Sequence, residues 1–212
     1  MENSDHRAAF AAATIGFVGL VRTIQPEQWT WPGLGVWDVR ALVGHASRAL
    51  STIEMYLGLP FRSPAISSPV EYFAAVLSDA TDADARQRQD AAIAERGRQA
   101  GYELGDDPAR AVASLATRVA ALVEATPNDA LLSTPAGTIS LINYLPTRTF
   151  ELAVHSLDLA RALHLQPPAT LTHAIGAACE LAGHLAGRHH NAAGILLFLT
   201  GRDVPEGPLS VL

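Results

Sequence analysis

Apolar residues recur at helical spacing along most of the chain, and prolines separate the apolar runs. This periodicity predicts helices, and the prolines mark where they begin and end. We place helices at residues 5–24, 37–57, 68–79, 83–101, 107–125, 145–164, 170–187 and 190–200. The longest amphipathic ones predict a four-helix bundle, with shorter helices packed around it. The predicted fold class is therefore all-α.

The pattern changes between residues 129 and 144. Two short runs with β-strand composition, residues 131–134 and 138–141, flank the sequence Pro135-Ala136-Gly137. Such runs around a turn are typical of a β-hairpin, although an irregular loop can have the same composition. We therefore expect at most one small β-hairpin, which leads into the helix at 145–164.

The helix at 145–164 carries charged residues within an otherwise apolar pattern. One stripe, roughly 80° wide, contains Arg148, Glu151, His155 and Asp158. A helix that is apolar on most sides is usually buried, so this stripe should face the protein interior. Glu151 and His155, one turn apart, would then form half of a metal site. The alternative is a solvated surface stripe with an ordinary Arg148–Glu151 ion pair.

His45 lies far upstream, in the helix predicted at 37–57, where apolar neighbours form a large face. A lone histidine in such a place is more often a core side chain than a metal ligand. Beside Glu151 and His155, however, it would complete a set of two imidazoles and one carboxylate. Such a set leaves a fourth position open for water, thiol or substrate.

Three segments of the chain resemble one known family. The pattern W-x-V-x-x-L-x-x-H begins at Trp37, and L-T-G-R runs from Leu199 to Arg202. Between them, L-P-T-R-T-x-E-L-x-V-H-x-x-D-L-A-R-A-L occupies residues 145–163. These motifs are similar to the N-terminal domain of the mycothiol-dependent maleylpyruvate isomerases, within the DinB-like superfamily of metal-binding four-helix bundles.

The resemblance implies a DinB-like bundle that binds a divalent metal through His45, Glu151 and His155. Zinc is the expected metal, with nickel as the alternative. In the better-known members of this family the metal binds a low-molecular-weight thiol, which here would be mycothiol or another such thiol. Because a thiol bound to zinc loses its proton near neutral pH, the resemblance implies a transferase or isomerase that attacks a small electrophile.

Two further residues of the stripe receive roles from this chemistry. Asp158, one turn beyond His155, is the candidate for orienting an imidazole N–H. Arg148 is the candidate for contacting a bound cofactor, a substrate carboxylate or Glu151. Two other functions are compatible with the same residues: a hydrolase with hydroxide in the open position, and a non-catalytic bundle that binds a small molecule.

Charge and composition limit the kinds of molecule that the protein can be expected to bind. The net charge of −6, with dispersed arginines, predicts neither nucleic acid nor an anionic membrane as a partner. All 15 basic residues are arginine, which excludes lysine Schiff-base chemistry, and this skew is typical of a GC-rich organism such as an actinobacterium. We expect a cytoplasmic monomer or homodimer whose partners are a small thiol and an electrophile.

Length, cysteine and histidine content add three expectations. A chain of 212 residues with 49% hydrophobic content can bury one core, so residues 1–212 are expected to form a single domain. Cys179 lies in an apolar helical context and is expected to be buried and inert. A cluster near the C-terminus is interpreted as surface histidines rather than a physiological metal site; its members are His173, His184, His189 and His190.

Overall fold

A computed structural model describes residues 3–77, 83–202 and 210–211 of the chain. The helices of these residues are α1 (Asn3–Val21), α2 (Val39–Tyr56), α3 (Pro69–Leu77), α4 (Ala83–Glu103), α5 (Pro108–Ala125), α6 (Leu141–Ala162), α7 (Thr172–Ala186) and α8 (Ala192–Leu199). The strands are β1 (Pro32–Leu34), β2 (Trp37–Asp38), β3 (Ala65–Ile66), β4 (Leu131–Thr134) and β5 (Gly137–Ser140). Residues 78 and 79, the end of the helix predicted at 68–79, lie outside the described residues.

Helix α6 lies at the centre of the fold and packs against α1, α2 and α7. Helix α2 also packs against α4 and α5. The helices meet over fully buried side chains such as Phe17, Leu42, Leu50, Leu145 and Leu152. The prediction of an all-α fold is confirmed. None of the described helices has both the length and the apolar composition that crossing a membrane requires.

The predicted hairpin is confirmed and belongs to a slightly larger sheet. Strands β4 and β5 pair antiparallel, and β3 adds to the other edge of β5 in parallel, with Ala65 opposite Thr138. A side chain at residue 137 would collide with the carbonyl oxygen of Pro64, so Gly137 allows β3 to approach. Strands β1 and β2 also pair antiparallel, so the expectation of at most one hairpin was wrong. The pairs β3–β5 and β1–β2 were not predicted, because each contains a strand of only two residues and so has little period-2 pattern.

Helix α2 begins at Val39 and not at residue 37. The Asp38 side chain accepts a hydrogen bond from the Ala41 amide at 2.7 Å, which caps the first turn. Trp37 therefore belongs to β2, outside the helix.

Helix α6 begins at Leu141, earlier than predicted, and passes through Pro146. Proline lacks an N–H, so the carbonyl of Ile142 loses its helical donor. The Nδ1 atom of His6, on α1, lies 3.2 Å from that carbonyl oxygen and can donate to it. This contact explains how a proline is tolerated inside α6.

Cys179 is exposed, so the expectation of a buried thiol was wrong. Helix α7 turns Ala174, Ala178, Leu181 and Leu185 toward the core, and Cys179 lies outside that buried stripe. Because apolar residues lie on most sides of α7, its sequence did not show which side faces solvent.

Candidate metal centre

His45 lies on α2 beneath the ring of Trp37. The two ring centroids are 4.5 Å apart with an interplanar angle of 30°. The Trp37 Nε1–H donates to the Ala94 carbonyl of α4 at 2.9 Å, which fixes the indole. The indole therefore restricts the position of the His45 ring.

Glu151 and His155 lie one turn apart on α6, as their spacing predicts. His155 Nε2 is 3.4 Å from a Glu151 carboxylate oxygen, and the His155 ring stands edge-on to His45 with centroids 4.7 Å apart. One potential ligand atom from each of the three side chains lies within 4.8 Å of the others. The structure thus brings together the three residues that the sequence singled out, and their role as ligands stays a prediction.

The C-terminal histidines do not form a comparable group. In the described ranges, no other set of three or more His, Cys, Asp or Glu side chains converges in this way. His173 pairs with Asp5 at 2.6 Å, and His189 and His190 contact each other's rings with centroids 4.1 Å apart.

Asp158 contacts the opposite edge of the His155 ring. Its Oδ2 atom is 3.1 Å from His155 Nδ1, while His155 Nε2 faces Glu151. A histidine that binds a metal commonly donates its other N–H to a carboxylate in this way. The orienting role predicted for Asp158 therefore fits its position, and it too stays a prediction.

Glu151 and His155 form a coupled pair of buried charges. Burial alone would raise the pKa of Glu151, but its contact with His155 and the positive charge of Arg148 lower that pKa to about 2. Burial alone would lower the pKa of His155, but the Asp158 and Glu151 carboxylates raise it to about 9. Without a bound ion, therefore, Glu151 is a carboxylate and His155 an imidazolium at neutral pH.

His45 is neutral at the same pH. Burial, followed by the positive charge of His155, lowers the pKa of His45 to about 4. Its buried Nδ1 atom has no hydrogen-bond partner in the described structure. A neutral imidazole with an orphaned ring nitrogen fits a group that the polypeptide does not itself supply. The unpaired nitrogen of His45 therefore indicates that His45, Glu151 and His155 are suited to hold a divalent metal.

Arg148 is buried against two aromatic rings, and 8% of its surface is exposed. Its guanidinium carbon lies 4.6 Å from the ring centroid of Tyr144 and 5.5 Å from that of Tyr72, and its Nε donates to Thr147 Oγ1 at 3.0 Å. No ion pair joins Arg148 to Glu151 in the described chain. The alternative of a solvated stripe with an ordinary Arg148–Glu151 pair was therefore wrong.

A cavity of about 190 Å³ opens beside two of the three candidate ligands, His45 and Glu151. His45, Glu151 and Arg148 line it together with residues that the sequence did not single out, namely Arg48, Tyr56, Tyr72 and Arg96. Arg48 could have been found from the sequence, because it follows His45 by one helical turn on α2. Tyr56 could have been found as well, because it follows His45 by eleven residues, three helical turns, and so lies on the same side of α2. Tyr72 and Arg96 could not, since they reach the cavity only through the packing of α3 and α4.

A family model of the mycothiol maleylpyruvate isomerase N-terminal domain matches residues 10–160. The chain belongs to this family. The match contains His45, Glu151 and His155, whereas the L-T-G-R motif at 199–202 lies outside it. No curated protein and no solved structure matches the chain. The chain is therefore a mycothiol-related protein of a family of metal-binding helical bundles, as its motifs had indicated.

Proposed function

We propose that this chain is a metal-dependent enzyme with a low-molecular-weight thiol, mycothiol or a close analogue, as co-substrate. It transfers the thiol to a small electrophile, or adds and releases it to isomerise a double bond. The observation that carries the proposal is the convergence of His45, Glu151 and His155, with a neutral His45 and an orphaned nitrogen. Its partners are these two small molecules, and we place it in the cytoplasm.

The three side chains suit zinc. Two imidazoles and one carboxylate are a common catalytic zinc set, which leaves one position free. Imidazole also suits nickel, so nickel is the alternative. A bound divalent ion lowers the pKa of a coordinated thiol, so that the thiol is available as a thiolate at neutral pH.

The remaining residues prepare the site. Asp158 accepts the Nδ1–H of His155 and so presents Nε2 on the side of Glu151. The Trp37 indole covers one face of the His45 ring and fixes its orientation. Because these supports come from β2 and α6, the three side chains are positioned before any ligand binds.

Metal stoichiometry tests the ligand assignment. We expect about one divalent ion per chain by elemental analysis, and loss of stoichiometric binding in His45→Ala and in His155→Ala, since two protein ligands bind weakly. His184→Ala, at an exposed position on α7, is the matched control and should retain the ion. Full metal content in both ligand variants would refute the assignment.

Thiol dependence tests the reaction class. Metal-loaded protein should turn over an electrophile only when mycothiol or a surrogate thiol is added. Equal turnover without any thiol would replace this proposal with a metal-dependent hydrolase. Absence of thiol binding by calorimetry, together with absence of turnover, would leave a non-catalytic bundle.

A further inference from the structure

Helix α8 is apolar throughout, yet it buries little of its surface. None of its side chains is polar, and Ile195 is its one buried residue. The next four residues form the last turn of the helix and are exposed: Leu196 by 63%, Leu197 by 42%, Phe198 by 44% and Leu199 by 68%. Single exposed apolar side chains are ordinary, but a continuous apolar surface marks a site of interaction.

The side chains of this apolar turn, residues 196–199, point to all sides of α8. Consecutive residues of a helix are about 100° apart, so the four side chains cover about 300° of the circumference. Leu199 lies one turn after the buried Ile195 and is nevertheless exposed, so the end of α8 extends beyond the protein core. A partner helix contacts one stripe, made of residues three or four positions apart, and would leave part of this turn in water. A layer of hydrocarbon surrounds an inserted turn on every side.

The L-T-G-R motif, which lies outside the family match, ends α8 and positions a cation beside the apolar turn. The Gly201 N–H donates to the Phe198 carbonyl at 2.9 Å, and Gly201 has a positive φ of 69°. The Arg202 N–H donates to the Leu197 carbonyl, also at 2.9 Å. These two bonds form a Schellman cap, which stops the helix and fixes the direction of the chain after it. The exposed Arg202 therefore follows the apolar turn directly.

Positive charge lies at both ends of α8. Arg188 precedes the helix and Arg202 follows it, both are exposed, and no Asp or Glu occurs in residues 181–202. Hydrogen bonds from Ser67 and the charge of Arg188 lower the pKa of Glu71 on α3, so one carboxylate also lies nearby. The net charge of −6, from which no anionic membrane was expected as a partner, does not describe this local surface. Two copies paired antiparallel through α8 would bring the two arginines of like charge together.

We propose that α8 inserts its apolar turn into the surface of a lipid layer that carries anionic headgroups. With eight residues the helix is about 12 Å long, less than half of a hydrocarbon core of about 30 Å, so it lies in the interface. The apolar turn enters the acyl region, while Arg188 and Arg202 stay at the depth of the headgroups and contact their phosphates. The attachment is peripheral and reversible, and it is independent of the metal centre and of the proposed function.

Flotation with lipid vesicles tests the attachment. The full chain is mixed with vesicles of equal parts phosphatidylcholine and phosphatidylglycerol, or of phosphatidylcholine alone, and the bound fraction is measured. We expect stronger binding to the mixed vesicles, and about tenfold or more weaker binding of Leu196→Gln/Leu199→Gln, which removes apolar surface from the turn. Ile15→Gln/Val36→Gln is the matched control, because these residues are 60% and 73% exposed outside α8, and it should bind as the wild type does. Absence of wild-type binding to the mixed vesicles, or an equal loss in the control, would overturn the proposal.

A pair of charge variants tests the role of the arginines and decides if the leucine variant does not fold. Arg188→Gln/Arg202→Gln should bind the mixed vesicles about tenfold or more weakly, because each arginine at an anionic surface contributes about fivefold. Arg22→Gln/Arg161→Gln removes two exposed arginines from other parts of the chain and should bind as the wild type does. Equal binding by the two charge variants would overturn the proposal.

Sedimentation equilibrium without lipid distinguishes a second copy from a lipid surface. We expect the wild type and Leu196→Gln/Leu199→Gln to have the same mass. A wild-type dimer that this variant converts to a monomer would overturn the proposal, because a partner copy would then cover α8. Normal metal content in the variant separates the lipid surface from the metal centre.

Discussion

Gly44, which precedes His45 on α2, lies directly against the backbone of α4. A Cβ atom at this position would lie 2.5 Å from the Gly101 Cα and 2.7 Å from the Ala100 carbonyl carbon, both in the backbone of α4. Ordinary van der Waals contact begins at 3.4 Å, so Gly44→Ala requires the two helices to separate by about an ångström. No flexible side chain can move aside to relieve this overlap.

The expected cost follows from this overlap. Overpacking of a tight core costs about 1–3 kcal/mol, and a backbone collision belongs in the upper part of that range. The higher helix propensity of alanine offsets up to about 1 kcal/mol of this loss of stability. We therefore expect Gly44→Ala to lower the free energy of unfolding by about 1–2 kcal/mol.

The same movement should disturb the metal centre. Trp37 packs against Gly97 of α4 and stacks on His45, so a shift of α4 changes the support of the His45 ring. Because ligand sets tolerate only about 0.5 Å of misplacement, zinc affinity should fall about tenfold or more. The loss of stability and the loss of affinity should therefore appear in the same variant.

Urea unfolding of the metal-free protein and a chelator competition for zinc measure the two effects. Gly176→Ala, on α7, is the matched control, because nothing lies within 4 Å of the added methyl group. The free energy of unfolding of Gly176→Ala should rise by about 0.5–1 kcal/mol, because alanine favours the helix more than glycine does. If Gly44→Ala is as stable as the wild type, or is stabilised like the control, the tight α2–α4 contact is not what positions His45.

Three further predictions concern the metal centre. Asp158→Asn should weaken zinc binding by roughly 10 to 100-fold, measured by chelator competition, with Asp129→Asn as the control at a distant site. The pKa of His155 is raised to about 9 in the metal-free protein, so zinc must displace a proton from this imidazole at neutral pH. Calorimetry in buffers of different ionisation enthalpy should detect this proton release at pH 7–8. The affinity for zinc should rise with pH until about 9. A proton count near zero at pH 7.5 would contradict this. Metal removal should leave the helical circular dichroism unchanged, because the apolar core is independent of the site, and unfolding by a chelator would contradict that view.

The local features of the fold and site could be predicted from the sequence. Helical periodicity predicts the main helices, and i,i+4 spacing places Glu151 and His155 side by side. The burial of their stripe follows from the apolar residues around α6. These features depend on neighbours within a few residues, where geometry is fixed by the helix itself.

The rest depends on contacts between distant segments. The residue types suggested His45 as a third ligand beside Glu151 and His155, but only the family motifs implied that the three meet, since no local rule brings α2 to α6. Strand β3 forms because β5 offers it an edge, and α6 continues through Pro146 because His6 of α1 reaches the freed carbonyl. Each of these contacts is made by a residue more than seventy positions away.

The stacking of Trp37 on His45 gives the protein an optical probe of its own metal centre. An indole ring 4.5 Å from an imidazole changes its emission when that imidazole gains a proton or an ion. Trp29 and Trp31 contribute a background that does not depend on His45, and Trp37→Phe removes the signal. Titrations of metal, thiol and acid can therefore be followed at His45 without any label.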